Sequence, residues 1–178
     1  MSEIKTYRVC EPLVTDLDVE KISEVASTGW ISANGPVSAE FEAKIAESVS
    51  CDHAAVLVNG TAAIEAAVYA LDLPKGSEVI MPSFTIISCA VAVIRLGLVP
   101  VFVDVEKDIL CIDPAEIERA VTSNTSAILV VHIFGHPASM DEILEISHRY
   151  NLKIIEDVAE AHGAEYKGRR CGSLGDIA

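Results

Sequence analysis

From His53 onward the chain changes period again and again, and that alternation restricts its fold more than any other feature. Short apolar runs, "HAAVLV", "SEVIM", "VPVFVDV", "SAILVVHIFG" and "LKIIEDV", read as strands. Between them stand "TAAIEAAVYAL", "IISCAVAVIRLG", "AEIERAV" and "MDEILEISHRY", which read as helices. Largely apolar strands are buried on both faces, and β-α-β-α order supplies the helices that cover them. The pattern therefore predicts a three-layer α/β fold with a mostly parallel sheet, its first strand over residues 54–58. Local punctuation agrees. Gly97 ends one helix, Asp113 and Pro114 open another as N-cap and first residue, and Ser139 with Glu142 suggests a capping box.

The first fifty residues differ. They read as mainly helical, with "VSAEFEAKIAESV" amphipathic and "TGWISANGP" a loop, so the expected division is 1–50 and 51–178. At 178 residues and 51% hydrophobic composition the chain can support a real core. Thirteen Lys and Arg against 27 Asp and Glu give a formal charge of −14, which argues against binding a nucleic-acid backbone. "MSEIKTYRVC" has no apolar signal core. The longest apolar stretch is broken by Arg95, Gly97 and Pro100, so it reads as helix, turn and strand, not as a membrane span. Cys10, Cys51, Cys89, Cys111 and Cys171 are odd in number and irregularly spaced. That is the usage of free thiols in a reducing, cytoplasmic setting. His132 and His136 share an H-x₃-H spacing, but Gly135 and Pro137 oppose the helix that would put both on one face, so no metal is expected.

In open α/β sheets ligands sit beyond the carboxyl ends of the strands. Three pieces of sequence fall there. "VLVNGTAAIEAA" puts Gly60 and Thr61 where a strand becomes a helix, as a phosphate cradle or as an ordinary turn capped by Thr61. "MPSFTIIS" places Phe84 near a strand end, for stacking on a flat ligand or for core packing. "EDVAEAHG" puts Asp157 at a strand terminus and Glu160 three residues on. Asp157 is either the partner of a ring cation or a helix cap beside a solvated Glu160. Together the pieces fit one ligand with a phosphate, a flat ring and a basic ring nitrogen, which is the shape of pyridoxal 5'-phosphate. Trp30 reads as an anchoring aromatic.

"GWISANGPVSAEFEAKIAE", "VNGTAAIEAAVYAL", "VIMPSFT", "PVFVDVE", "VVHIFGHPASMDEI" and "IIEDVAEAHGAEYKGRRCGSLGDIA" resemble, in this order, the DegT/DnrJ-type sugar aminotransferases. The resemblance implies a fold type I large domain, incomplete at the C-terminus, and pyridoxal phosphate as cofactor. It also implies a nucleotide-sugar substrate with an amino-acid donor, and a homodimer in the full-length family. Carried over by position, Gly60 and Thr61 match the phosphate-binding pair, Asp157 the pyridinium partner and Glu160 the residue near the ring hydroxyl. Ile86 falls where the family usually stacks an aromatic on the ring. The Lys that forms the Schiff base would lie beyond Ala178, so no catalytic residue is expected within these residues, and none of the seven Lys stands in its place. The resemblance further implies that the last core strands would flank residues 54–58. The 178 residues alone are thus expected to be inactive and poorly folded. A sugar dehydratase of the same fold, with His for that Lys, and a non-catalytic remnant are the alternative readings.

Overall fold

The computed structural model describes residues 11–32 and 35–178. The chain divides into two compact units, one up to Phe41 and one from Glu42 to Ala178. The first unit contains α1 (Asp16–Thr28), opened by a capping box in which the Thr15 side chain and Asp18 bond reciprocally. It buries none of its residues. Trp30, half exposed, lies against Gly35 in the loop that follows. The second helix, α2 (Pro36–Val49), begins on a proline, as helices favour, and runs across the division.

The second unit holds the sheet. After α3 (Gly60–Ala70) come β1 (Glu78–Pro82), α4 (Ile87–Arg95), β2 (Val99–Val103) and α5 (Pro114–Ala120). These are followed by β3 (Thr125–Val131), a single 3₁₀ turn (Ile133–Gly135), α6 (Met140–Tyr150) and β4 (Lys153–Asp157). The four strands are parallel in the order β2-β1-β3-β4. Right-handed crossovers then send α4 to one face and α5 and α6 to the other. The packing agrees: α3 lies on α4, and α5 on α6. The connections from β1 and β3 leave in opposite directions, so the switch point of the sheet is the crevice between their carboxyl ends.

The interior strands are apolar because both faces are covered. Val79, Ile80 and Met81 of β1 and Ile128 and Leu129 of β3 are fully buried, and Ile154 and Ile155 of β4 nearly so. The edge strand β2 shows the opposite, with Phe102 half exposed and Pro100 tolerated where one ladder bond is dispensable. Asp113 and Pro114 open α5 as expected, the Asp113 carboxylate accepting the Ala115 amide at 2.8 Å, and Gly97 adopts φ +76 behind α4.

Two expectations fail. Residues 54–58 form no ladder with any described strand, and Val58 is 88% exposed. A strand is stable only when its amides find a neighbour, and none of the described strands lies beside this segment. The Ser139–Glu142 capping box is also absent. Ser139 Oγ instead donates to Glu106 Oε1 at 2.7 Å, a partner 33 positions away that captures the hydroxyl. After a short hairpin of β5 (Glu165–Tyr166) and β6 (Arg169–Arg170), the chain returns to the free edge of β4, where Ile177 makes a parallel bridge to Ile155. The last described residues therefore line that edge through one bridge, without forming a strand of their own.

Candidate cofactor site at the carboxyl ends of the strands

Period two along β4 sends Glu156 and Asp157 to opposite faces, and their fates differ. Asp157, at the strand's carboxyl end, is 9% exposed. Its Oδ1 accepts the Ala159 amide at 3.1 Å and its Oδ2 the Cys89 thiol at 3.5 Å. Turns, not a helix, follow Asp157, so it does not cap a helix. It forms no ion pair with any described residue. A buried carboxylate so weakly supplied with donors is costly to keep without a cationic partner. Cys89, on α4, has one proton, and that proton goes to Asp157. Thr85 Oγ1, 3.4 Å from the sulfur, must therefore donate to it. Burial, aided by the charge of Asp157, pushes the Cys89 thiol up to about 11.

The neighbouring residue on α4 reaches the other end of the site. Ser88 Oγ lies 2.8 Å from Thr61 Oγ1, tying α4 to the first turn of α3. Asn59, not Thr61, caps α3 by accepting the Ala62 amide at 2.9 Å. The amides of Gly60 and Thr61 have no partner among the described residues, as expected of the first turn of a helix. A Cβ at Gly60 would meet nothing within 4 Å, and its φ is not left-handed. Neither turn geometry nor packing calls for glycine there. What the bare Cα provides is room for a group before the positive end of α3.

Glu160 is exposed, and its carboxylate accepts the Phe134 amide at 2.7 Å. Phe134 sits at φ +51, a left-handed conformation uncommon for an aromatic residue, in the crevice after β3. Its ring meets that of Phe84, from the end of β1, edge to face at a centroid distance of 6.0 Å. Phe84 thus belongs to the mouth of the switch point and is 43% exposed, not a core residue. Ile86 occupies the N-cap position of α4 and is 62% exposed. Consecutive residues of α4 therefore link the Gly60–Thr61 end to the Asp157 end, while Glu160 and the phenylalanine pair border the loop beyond. Ser88, Cys89 and Phe134 are the members that the sequence reading did not select.

The reading also missed a second network. Glu156, 2% exposed, accepts His132 Nε2 at 3.0 Å and the amides of Gly172, Leu174 and Gly175 at 2.9, 2.7 and 2.6 Å. His132 Nδ1 accepts the Ala138 amide at 3.1 Å, so the ring proton resides on Nε2. With both nitrogens committed, His132 is no metal ligand. Desolvation raises the Glu156 carboxyl, but four converging donors outweigh it and leave the group below the ordinary range. Lys153 and Lys167, which flank this region, are engaged by Asp176 at 2.6 Å and by Asp141.

A doubly wound parallel sheet with an open helix N-terminus and a buried carboxylate lacking a cation among the described residues, both at the carboxyl ends of the strands, has the layout of an α/β protein that takes a small ligand at its switch point. Residues 13–178 match the DegT/DnrJ/EryC1/StrS aminotransferase family, and the chain belongs to it. GDP-perosamine synthase of Escherichia coli O157:H7 is 38% identical over 174 residues, 98% of this chain and 48% of that protein. The crystallised aminotransferase of Psychrobacter cryohalolentis matches with a TM-score of 0.88 at 37% identity over 92% of this chain and 42% of its own. The E. coli GDP-4-keto-6-deoxy-D-mannose-3-dehydratase with bound hydrated PLP matches with a TM-score of 0.90 at 27% identity, over 96% of this chain and 45% of its own. The chain thus spans about half the length of the curated relatives it matches.

Proposed function

We propose that this chain is the cofactor-binding part of a pyridoxal-phosphate-dependent aminotransferase. It acts on a nucleotide-linked 4-keto-6-deoxy sugar, in the manner of GDP-perosamine synthase, with glutamate as amino donor. The carrying observation is Asp157, a carboxylate 9% exposed and across α4 from the amides of Gly60 and Thr61; among the described residues the carboxylate has no cation and the amides no acceptor. An anion site and a cation site joined by one helix fit a phosphorylated pyridine. When bound, the cofactor supplies an electron sink for bonds at the substrate carbon.

The residues present would serve that chemistry as follows. The amides of Gly60 and Thr61, with the α3 dipole, bind the phosphate. Asp157 holds the proton on the ring nitrogen, a charge-assisted bond worth about 1.5–3 kcal/mol. Glu160 is assigned to the ring-hydroxyl side, and Ile86 covers a ring face. From the family resemblance the assembly is carried over as a homodimer. The thiols of Cys51, Cys89, Cys111 and Cys171 are free, which supports a reducing, cytoplasmic setting. No described helix is long and apolar enough to cross a membrane.

The test is titration of the full-length protein with pyridoxal phosphate, followed by its visible absorbance, in wild type and Asp157→Ala. The reading expects binding at least about tenfold weaker in the variant. Binding indifferent to Asp157 sinks it. Glutamate and GDP-4-keto-6-deoxymannose should then yield an amino sugar.

The match to the dehydratase at a TM-score of 0.90 favours a second reading, deoxygenation of a similar sugar. A product that has lost oxygen without gaining nitrogen would select it.

A further inference from the structure

The two oxygens of Asp157 are loaded unequally. Oδ1 takes a backbone amide at 3.1 Å, while Oδ2 takes only a thiol at 3.5 Å. A thiol is a weak donor, so it orients Oδ2 while leaving most of that oxygen's basicity intact. Its own position is enforced: Cys89 is fully buried in α4, and the Thr85 hydroxyl fixes the sulfur by donating to it from the preceding turn. A hydroxyl in that place would be a much stronger donor to a carboxylate, close to 2.7 Å, and would compete for the lone pairs that a ring N–H needs. Among the described residues no other side chain bonds Asp157. The groups facing it are therefore the thiol from α4 and the amide from the turn.

We infer that Cys89 is a positioning residue, a deliberately weak donor that aims Asp157 Oδ2 at the cofactor's ring nitrogen without lowering its basicity. This rests on the function proposed above. Packing alone explains a buried small residue at this place on α4. It does not explain why the sulfur is placed between a hydroxyl donor and the less strongly bonded oxygen of Asp157.

The experiment loads the full-length protein with pyridoxal phosphate carrying ¹⁵N in the ring, and follows the ring-nitrogen shift across pH. Wild type, Cys89→Ser, Cys89→Ala and Asp157→Asn are compared, with thermal melting as a check on folding. Serine draws on Oδ2 and should lower the pH at which the ring nitrogen loses its proton, weakening cofactor binding about threefold to tenfold. Alanine relieves Oδ2 of its donor and should raise that pH. A filler of space would lower the melting temperature in both variants without opposite spectroscopic shifts. Shifts of the same sign, or none, overturn the proposal while Asp157→Asn still removes the protonated-ring signal. If Asp157→Asn titrates as wild type does, the functional reading falls, and this proposal with it.

Discussion

Replacing Glu156 by Gln tests the second network, because the geometry leaves the amide no comfortable orientation. Four protons converge on the carboxylate: His132 Nε2–H and the Gly172 amide at Oε2, and the Leu174 and Gly175 amides at Oε1. An –NH₂ at the Oε1 position faces two amide donors. At the Oε2 position it faces Gly172 and His132. Moving the His132 proton to Nδ1 only transfers the conflict to the Ala138 amide. Every arrangement leaves at least two donors without acceptors, at about 1–3 kcal/mol each. Relief of burying a charge offsets part of this, so a net loss of about 2–4 kcal/mol follows for Glu156→Gln. Urea unfolding of the full-length protein at pH 7 measures it. The same carboxyl is depressed below 4.5 in the folded state, so its stabilisation is complete above that pH and is lost as pH falls through the lower folded value. The variant should lack this acid step. A Glu156→Gln protein within about 0.5 kcal/mol of wild type, with the acid step intact, refutes the reasoning.

Gly175→Ala places a Cβ 2.8 Å from Ile154 Cγ2 and 2.9 Å from Ile154 O, and a displaced backbone pulls the Gly175 amide off Glu156. A melting scan should show a loss of about 2–3 kcal/mol, and an unchanged midpoint would mean the loop gives way freely. Cys51 is exposed, whereas Cys89 is buried with its thiol pushed up to about 11. At pH 8 a maleimide should label Cys51 within minutes and leave Cys89 intact until the protein is unfolded, as peptide mass mapping would show. Ile86→Phe should strengthen pyridoxal phosphate binding by about 0.5–1.5 kcal/mol, and equal dissociation constants would argue that Ile86 does not face the ring.

What could be read from the chain and what could not divide along the range of the interactions. Asp113 and Pro114 cap α5 as read, because cap and capped amide are two residues apart. The helix over residues 140–150 and the strands β1 to β4 appear where their apolar patterns put them. Ser139 and Glu142 carry an equally clear local signature, yet the hydroxyl is taken by Glu106 from 33 positions away. Residues 54–58 have strand composition, but strand structure is a property of a pair, and composition cannot supply the neighbour. In the candidate site, the position of Asp157 at the end of β4 was legible because a carboxylate closing an apolar run is unusual. Cys89 was not, since a lone cysteine within "IISCAVAVIRLG" looks like any core residue. Glu156 stood beside Asp157 in the same quoted stretch, but its partners come from residues 132 and 172–175, which nothing in the local pattern joins to it.

The sheet has a single seam on which its two halves depend. One half closes over the short β1-α4-β2 connection and the other over β3-α6-β4, and within the described sheet the pairing of β1 with β3 is where their ladders meet, with an irregular register at Glu78 and Val79. Phe84 and Phe134 meet at the carboxyl end of that same seam. Assembly and the mouth of the proposed ligand site therefore share one joint. A substitution that loosened it would be felt first as slower or less complete folding and again as a wider mouth, so selection could not readily adjust ligand preference there without also altering how dependably the molecule is made.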